Sequence, residues 1–225
     1  MTSIKKFLPT EDIWICDAGC GTGGLLKRLK REGFLNSYGF DSSPYAIEQL
    51  RKRKDISRRI WQGDVEQLAL RNSSFDVITS IDVLYHSNVH SEEQALKEFF
   101  RVLKPNGICI LQYAAFEFLR GSHDIVVMTR RRSRIIDVER NIKEAGFKID
   151  VCNYRNIWIF PMLLFWRTLS RFWVGRKKMN GSSDLFRFPK IINTLFYIVA
   201  MTENYLLSKI RFPFGTSMFC IARKE

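Results

Sequence analysis

The sequence predicts an α/β fold built on an open parallel sheet, and three observations carry that reading. Residues Ile13 to Gly24 read as a short buried strand that enters a glycine loop and opens a helix. Short apolar runs then alternate with helix-periodic stretches as far as Tyr113. Acids close the later strands at Asp41, Asp64 and Asp82, on the edge where open parallel sheets bind ligands. The 225 residues, 46% apolar, suffice for one domain, 1–225, with a substantial core.

Ile13 to Cys16 supply the first strand. Gly19, Gly21 and Gly23 let backbone approach a ligand where a Cβ would collide. A helix follows over Gly24–Glu32, with Gly33 as its C-terminal cap. The glycines alone also fit the dinucleotide fingerprint. Asp17 separates the two readings. A pyrophosphate at this loop would be repelled by a carboxylate. The cationic amino acid and sulfonium of S-adenosylmethionine (SAM) would be attracted to one.

Ser37–Asp41 is a second strand, and Asp41 can accept from both hydroxyls of a ribose. Ser42 or Ser43 caps the helix that begins at Pro44. Ile56–Trp61 is a third strand. After it, Asp64 can accept from an exocyclic amine and Val65 can offer its N–H to a ring nitrogen. Phe75–Asp82 is a fourth strand whose end, with Ile81 and Asp82, should line the same crevice. Ser91 caps a helix running through Leu103. Lys104-Pro105-Asn106-Gly107 ends it as a turn, and Ile108–Tyr113 is a buried fifth strand.

The five cysteines, at 16, 20, 109, 152 and 220, show no paired spacing and read as reduced, buried residues of a cytoplasmic protein with no metal site. No window is long and apolar enough for a transmembrane helix, and Met1–Phe7 lacks the features of a signal peptide. The net charge of +13 is uneven: residues 1–119 carry 16 basic and 15 acidic side chains, and residues 120–190 carry 16 and 6. Such a field points to an anionic partner or to a solvated basic face.

Asp-x-Gly-x-Gly-x-Gly at 17–23, Tyr-Gly-Phe-Asp at 38–41, Gly-Asp-Val at 63–65, Phe-Asp-Val-Ile at 75–78 and Arg-Val-Leu-Lys-Pro-Asn-Gly at 101–107 stand in order and at the right spacing. Together they resemble the class I SAM-dependent methyltransferases. The resemblance implies a Rossmann-like three-layer α/β/α sandwich, with a seven-stranded, mostly parallel sheet and an antiparallel last strand. It implies SAM as cofactor across the ends of strands one to four. Asp17, Gly19, Gly21 and Gly23 would hold its methionine end, Asp41 its ribose, and Asp64 with Val65 its adenine, with Cys20, Ser42, Ile81 and Asp82 also among the cofactor-binding residues. Many members carry a helical lid before the first strand. About a dozen residues stand there in this chain, so the lid is expected from elsewhere, or the site is more open and SAM binds weakly, or the start has been lost.

Past the fifth strand the pattern becomes individual. Phe116–Arg120 reads as helical, and Arg130–Arg134 precedes a helix with Val138, Ile142 and Ala145 on one face. This part resembles a bacterial subgroup of the same family. Lys148–Asn153 and Ser217–Arg223 are the sixth and seventh strands, with a helical cap or insertion at 155–212 between them. Its apolar stretch from Ile157, followed by Arg167, Arg171, Arg176, Lys177 and Lys178, could cover an acceptor pocket or make peripheral membrane contact through 157–178.

In-line methyl transfer from a sulfonium depends mostly on positioning, and a base is needed only where the nucleophile must lose a proton. His123, beside Asp124, and His86 are the candidate catalytic residues. His86 and His90 lack a third metal ligand. Ser80-Ile81-Asp82-Val83 stands where enzymes that methylate DNA amines carry Asn/Asp-Pro-Pro-Tyr/Phe. The expected function is methylation of a small-molecule acceptor, at oxygen, on a natural-product, sugar-linked or lipid-like substrate. The alternatives are an RNA methyltransferase using the basic segment, or an inactive methyltransferase-like partner protein.

Overall fold

The structure is a computed structural model that describes residues 4, 7–8, 12–53, 59–173, 189–207 and 210–225. Seven strands form one sheet: β1 (Ile15–Ala18), β2 (Ser37–Asp41), β3 (Ile60–Gln62), β4 (Phe75–Ile81), β5 (Leu103–Ala114), β6 (Lys148–Arg155) and β7 (Ser217–Arg223). Their order is β3-β2-β1-β4-β5-β7-β6. β1 to β5 run parallel, and β7 lies antiparallel to both β5 and β6. The chain reverses direction across the sheet between β3 and β4, which opens a crevice beyond the carboxyl ends of β1 and β4.

Alternation along the strands divides the core in two. Cys16, Ala18, Ile78, Cys109 and Leu111 face Leu96 and Phe99 of α3 (Glu92–Val102) and Val138 and Ile142 of α5 (Ile135–Glu144). Ile15, Val77, Ile108 and Ile110 join Leu26 and Leu29 of α1 (Gly24–Arg31) and Ile47 and Leu50 of α2 (Pro44–Arg51). α4 (Ser122–Val126) is a short helix between α3 and α5 in the chain. Capping follows the sequence: Ser43 Oγ accepts from Ala46 N at 3.3 Å, and Ser91 Oγ accepts from Gln94 N at 3.1 Å. At the other end of α3, Lys224 Nζ donates to the carbonyls of Phe100 and Leu103 at 2.7 Å each, a cation where the helix dipole favours one.

Three details differ from the sequence reading. β3 starts at Ile60; the earlier part of the expected strand, Ile56 to Arg58, lies outside the described residues. β5 begins at Leu103, not at Ile108. Asn106 takes a left-handed φ of 63° and donates to Lys224 O at 2.7 Å, so the Lys-Pro-Asn-Gly stretch bends inside the sheet's hydrogen bonding. Cys152 and Cys220 stand opposite each other on β6 and β7 and are joined as a disulfide, while Cys16, Cys20 and Cys109 are free and buried. The 68-residue separation hid this pairing, because strand register alone brings the two together.

Among the described residues, two helices occupy the insertion between β6 and β7: α6 (Ile159–Trp173) and α7 (Lys190–Leu207). Phe160 fastens α6 to the sheet. Its ring stacks on Phe214 at 5.1 Å and meets Phe116 at 5.8 Å, and Phe116 stacks on Tyr154 at 4.9 Å. The carboxylate of Glu203, buried in α7, accepts from the N–H groups of Asn156 and Ile157 at 2.6 and 2.9 Å. That links α7 to the turn preceding α6. No helix among the described residues is long and apolar enough to cross a membrane.

Candidate active site

The glycine loop is held by the end of β2. Gly19 and Cys20 both donate to Phe40 O, at 2.8 and 2.9 Å, and Gly21 N donates to Asp41 Oδ2 at 2.8 Å. Asp41 Oδ1 accepts from Ser43 N at 2.9 Å, so this carboxylate braces the loop and the start of α2 together. Gly19 needs to be glycine twice over. Its φ is +78°, and a Cβ would come within 2.3 Å of Val83 Cγ2. Gly21 and Gly23 also take positive φ, and Gly23 starts α1 with no side-chain cap.

Asp17 lies beneath this loop and is almost fully buried. Thr79 Oγ1 on β4 donates to its Oδ1 at 2.7 Å. Burial pushes its pKa up to about 6; the Thr79 bond opposes that rise, and the nearby charge of Asp41 adds to it. A buried acid so poised gains from a cation placed beside it. Burial also pushes the Cys20 thiol up to about 12, which keeps it protonated and unreactive.

The adenine candidates follow β3. Gly63 N donates to Asp41 O at 3.1 Å, which ties this turn to the β2 end. Asp64 is exposed, and its Oδ1 accepts from Glu66 N at 2.9 Å; Val65 is buried. Ser42 accepts through its carbonyl from Gln62 Nε2 at 3.3 Å. Across the crevice, Asp82 follows Ile81 with a left-handed φ of 59°. Its carboxylate accepts from Tyr85 OH at 2.9 Å and Gln112 Nε2 at 3.0 Å. Burial raises the Asp82 pKa, while Tyr85, Gln112 and the charge of Arg132 pull against the rise. The parallel sheet thus gathers Asp17, the loop, Asp41, Asp64, Val65, Ile81 and Asp82 along one edge.

The histidines are placed differently from one another. His86 Nδ1 accepts from Asn88 N at 3.2 Å. His90 turns to Glu66, whose carboxylate also accepts from Ser91 N at 2.7 Å and so anchors the start of α3. Among the described residues no group of three or more side chains could hold a metal ion. His123 sits on α4, with its Nδ1 buried and without a hydrogen-bond partner among the described residues. Its sequence neighbour Asp124 does not serve it. That carboxylate is buried and takes Arg132 Nε at 2.8 Å and Gly121 N at 2.7 Å. Burial raises its pKa, and those two partners outweigh the effect and hold it low.

The arginine run is likewise spent within the fold. Arg130 donates to His90 O at 2.8 Å, Arg131 pairs with buried Glu92, and Arg132 reaches Asp124 and Ala115 O. Arg120 donates to Thr129 O and Arg130 O. These residues read in the sequence as a basic field facing a partner. They instead latch the segment after β5 to the sheet, Arg131 through Glu92, 39 residues away, and Arg132 through Asp124, which the sequence reading had set beside His123. Lys177 and Lys178, with Arg176, lie outside the described residues.

Residues 16–111 match the methyltransferase domain family. Over 114 residues, 48% of this chain, the sequence is 30% identical to sterol 24-C-methyltransferase erg6 of Aspergillus fumigatus, covering 29% of that protein. Over 101 residues, 43% of this chain, it is 29% identical to 2-methyl-6-phytyl-1,4-hydroquinone methyltransferase of a Synechocystis species, covering 30% of it. The chain therefore spans under a third of either relative. An S-adenosylmethionine dependent methyltransferase from Mesorhizobium loti shares the fold, with a TM-score of 0.62 at 13% identity over 99% of this chain and 96% of that one. Residues 16–111 thus match a methyltransferase domain, and the fold is that of the S-adenosylmethionine dependent methyltransferase from Mesorhizobium loti.

Proposed function

We propose that this chain transfers a methyl group from SAM to a small apolar, lipid-like acceptor. The observation that carries the reading is Asp17: a buried carboxyl, held by Thr79 beneath a left-handed glycine loop, with its pKa raised to about 6. The site's donor set fits SAM. Asp17 with Gly19, Cys20, Gly21 and Gly23 would take the cationic amino acid end. Asp41, flanked by Ser42, would take the ribose hydroxyls, and the Asp64 side chain with the Val65 N–H would take the adenine. Ile81 and Asp82 would form the facing wall.

Bound SAM supplies a methyl group on a sulfonium, a leaving group that needs no proton. The chain's task is then alignment and exclusion of water. Helices of the 155–212 insertion, fastened by Phe160 and Glu203, would cover the acceptor side as a cap. An apolar acceptor fits the rings of Phe116, Phe118 and Phe160 gathered there. The relatives named for a sterol and a phytyl hydroquinone support the same acceptor class. His123 is the imidazole assigned to take the acceptor's proton, without help from Asp124. His86, engaged by Asn88, is assigned to packing below the crevice. The RNA reading keeps less of the basic segment to draw on, because Arg120 and Arg130 to Arg132 are engaged within the protein.

Titration calorimetry with SAM and with its demethylated product tests the proposal. Binding of both is expected, and no binding at about millimolar ligand (−4.1 kcal/mol or weaker) would refute it. With an accepted substrate, His123→Ala should lower kcat by about a hundredfold or more while KM holds. An unchanged kcat would mean that positioning alone suffices.

A further inference from the structure

We propose that the outer face of α6 is a docking surface for an anionic lipid bilayer, on which the helix lies in the interfacial plane. Phe160, Leu163, Leu164 and Arg167 form the half-buried side of this helix. The opposite side is as apolar, and it is bare: Met162 is 66% exposed, Phe165 68% and Trp166 61%, continuing Trp158 and leading to Leu169. Positions 158, 162, 165, 166 and 169 recur at helical spacing and make one stripe. A helix that packs one face on its own domain and leaves the other apolar face in solvent has surface area the fold does not use.

A second segment adjoins it. Gly121 packs directly against the Arg167 guanidinium of α6, where a Cβ would lie 1.9 Å from Cζ. The residues that follow, Ile125 to Met128, are four exposed apolar side chains in succession. They lie beyond the carboxyl end of β5, the edge that carries the candidate site. The apolar surface and the crevice therefore share one end of the molecule.

Charge and length choose the occupant. The sequence from 156 to 215 holds nine basic and two acidic residues, and one of the acids, Glu203, is buried on backbone N–H groups. A protein partner or a second copy would need no such excess, whereas an anionic headgroup layer is attracted by it. α6 has 15 residues, about 22 Å at helical rise, short of the roughly 30 Å hydrocarbon core. Tryptophan at both Trp158 and Trp166 suits the headgroup level. The inference stands apart from methyl transfer, since docking requires neither SAM nor acceptor.

The test is co-sedimentation of the full chain with phosphatidylcholine vesicles, with and without about one-quarter phosphatidylglycerol, at about 0.1 and 0.5 M salt. Tryptophan emission and molar mass in solution are recorded alongside. Partitioning onto the anionic vesicles should exceed that onto neutral ones by about tenfold, fall at high salt, and be accompanied by a blue shift. Phe165→Ser with Trp166→Ser should lower partitioning by about tenfold or more at an unchanged melting curve, because both side chains are already in solvent. Absence of partitioning onto either vesicle overturns the proposal. So does a double variant that still binds like the parent. A dimer that the two substitutions dissociate, with no vesicle binding, also overturns it and makes a second copy the occupant.

Discussion

Asp17→Asn separates what this acid does for the fold from what it does for a ligand. In the folded protein the pKa of Asp17 is raised from 3.8 to about 6, with burial as the main cause. The folded state therefore binds this proton more tightly than the unfolded chain. Stability from this group is greatest below pH 4 and falls as pH rises through 4 to 6. Above that window the ionised acid costs about 3 kcal/mol, from roughly two pKa units. The amide introduced by Asp17→Asn keeps an oxygen for the Thr79 hydroxyl and removes the buried charge. The variant should be more stable than the parent at pH 7 by up to about 3 kcal/mol, and no more stable at pH 4.

Binding should move the other way. A cation beside Asp17 favours the ionised form, so binding below pH 6 must expel the proton. SAM affinity should fall about tenfold from pH 7 to pH 5, the ratio of ionised Asp17 at the two values. Asp17→Asn should bind about a hundredfold more weakly than the parent at pH 7, if the bound acid returns to its ordinary range near 4. Its affinity should also be flat between pH 5 and 7. Calorimetry in buffers of different ionisation enthalpy reads both the affinity and the proton released, and thermal melts at pH 4 and 7 read the stability. A parent profile as flat as the variant's, or an Asp17→Asn variant less stable than the parent at pH 7, would show the argument to be wrong.

The remaining expectations concern the loop and its latch. Asp41→Ala removes the acceptor for Gly21 N and Ser43 N, so SAM binding should weaken by about 1–3 kcal/mol; an unchanged calorimetric affinity would remove Asp41 from the ribose. Gly19→Ala meets both a φ of +78° and Val83 Cγ2 at 2.3 Å, so denaturant melts should show a loss of about 1–3 kcal/mol, and a neutral result would mean that the loop and Val83 relax freely. Arg132→Ala leaves the buried Asp124 carboxyl without its partner and should cost about 3–5 kcal/mol at pH 7 by urea melts. Because the Asp124 pKa is held low in the fold, the parent should lose stability as pH falls below 4, and Arg132→Ala should not; parallel acid profiles would count against the pairing.

The placement of the residues assigned to the cofactor was legible because their geometry is local. Asp17 and Gly19 to Gly23 sit in one turn, and Asp41 and Asp64 end strands whose lengths are set by short apolar runs. Each needs only the strand–loop–helix pattern to be placed. The partners that tune them are not local. Thr79 reaches Asp17 from 62 residues away, and Glu66 reaches Ser91 across 25. A hydroxyl in the middle of Phe75–Ile81 carries no sign of that bond, since threonine is common in strands for its shape alone. The arginine run misled for the same reason. Arg131 looks solvated until the fold brings Glu92, 39 residues away, against it. The Cys152–Cys220 pair depends on the register between β6 and β7, which lies across an insertion with no family spacing.

These long-range ties bear on why the acceptor side can present so much apolar surface. Fully burying a side chain such as Phe165 or Met162 would contribute about 1.5–3 kcal/mol each, yet the fold leaves them in water. α6 is not held by those residues. It is held by the Phe160 ring stack, by Glu203 on the two N–H groups that precede the helix, and by Arg167 packed on Gly121. The segment at Ile125–Met128 is held in turn by Asp124 on Arg132, and by Arg120 on the carbonyls of Thr129 and Arg130. Polar latches of this kind fix backbone without consuming the apolar stripe. If stability were the stripe's role, replacing Phe165 and Trp166 by serine would lower the melting temperature; if it serves an external apolar phase, the melt stays put and only attachment to that phase changes. The distribution of burial along α6, apolar on both faces and covered on one, favours the second outcome.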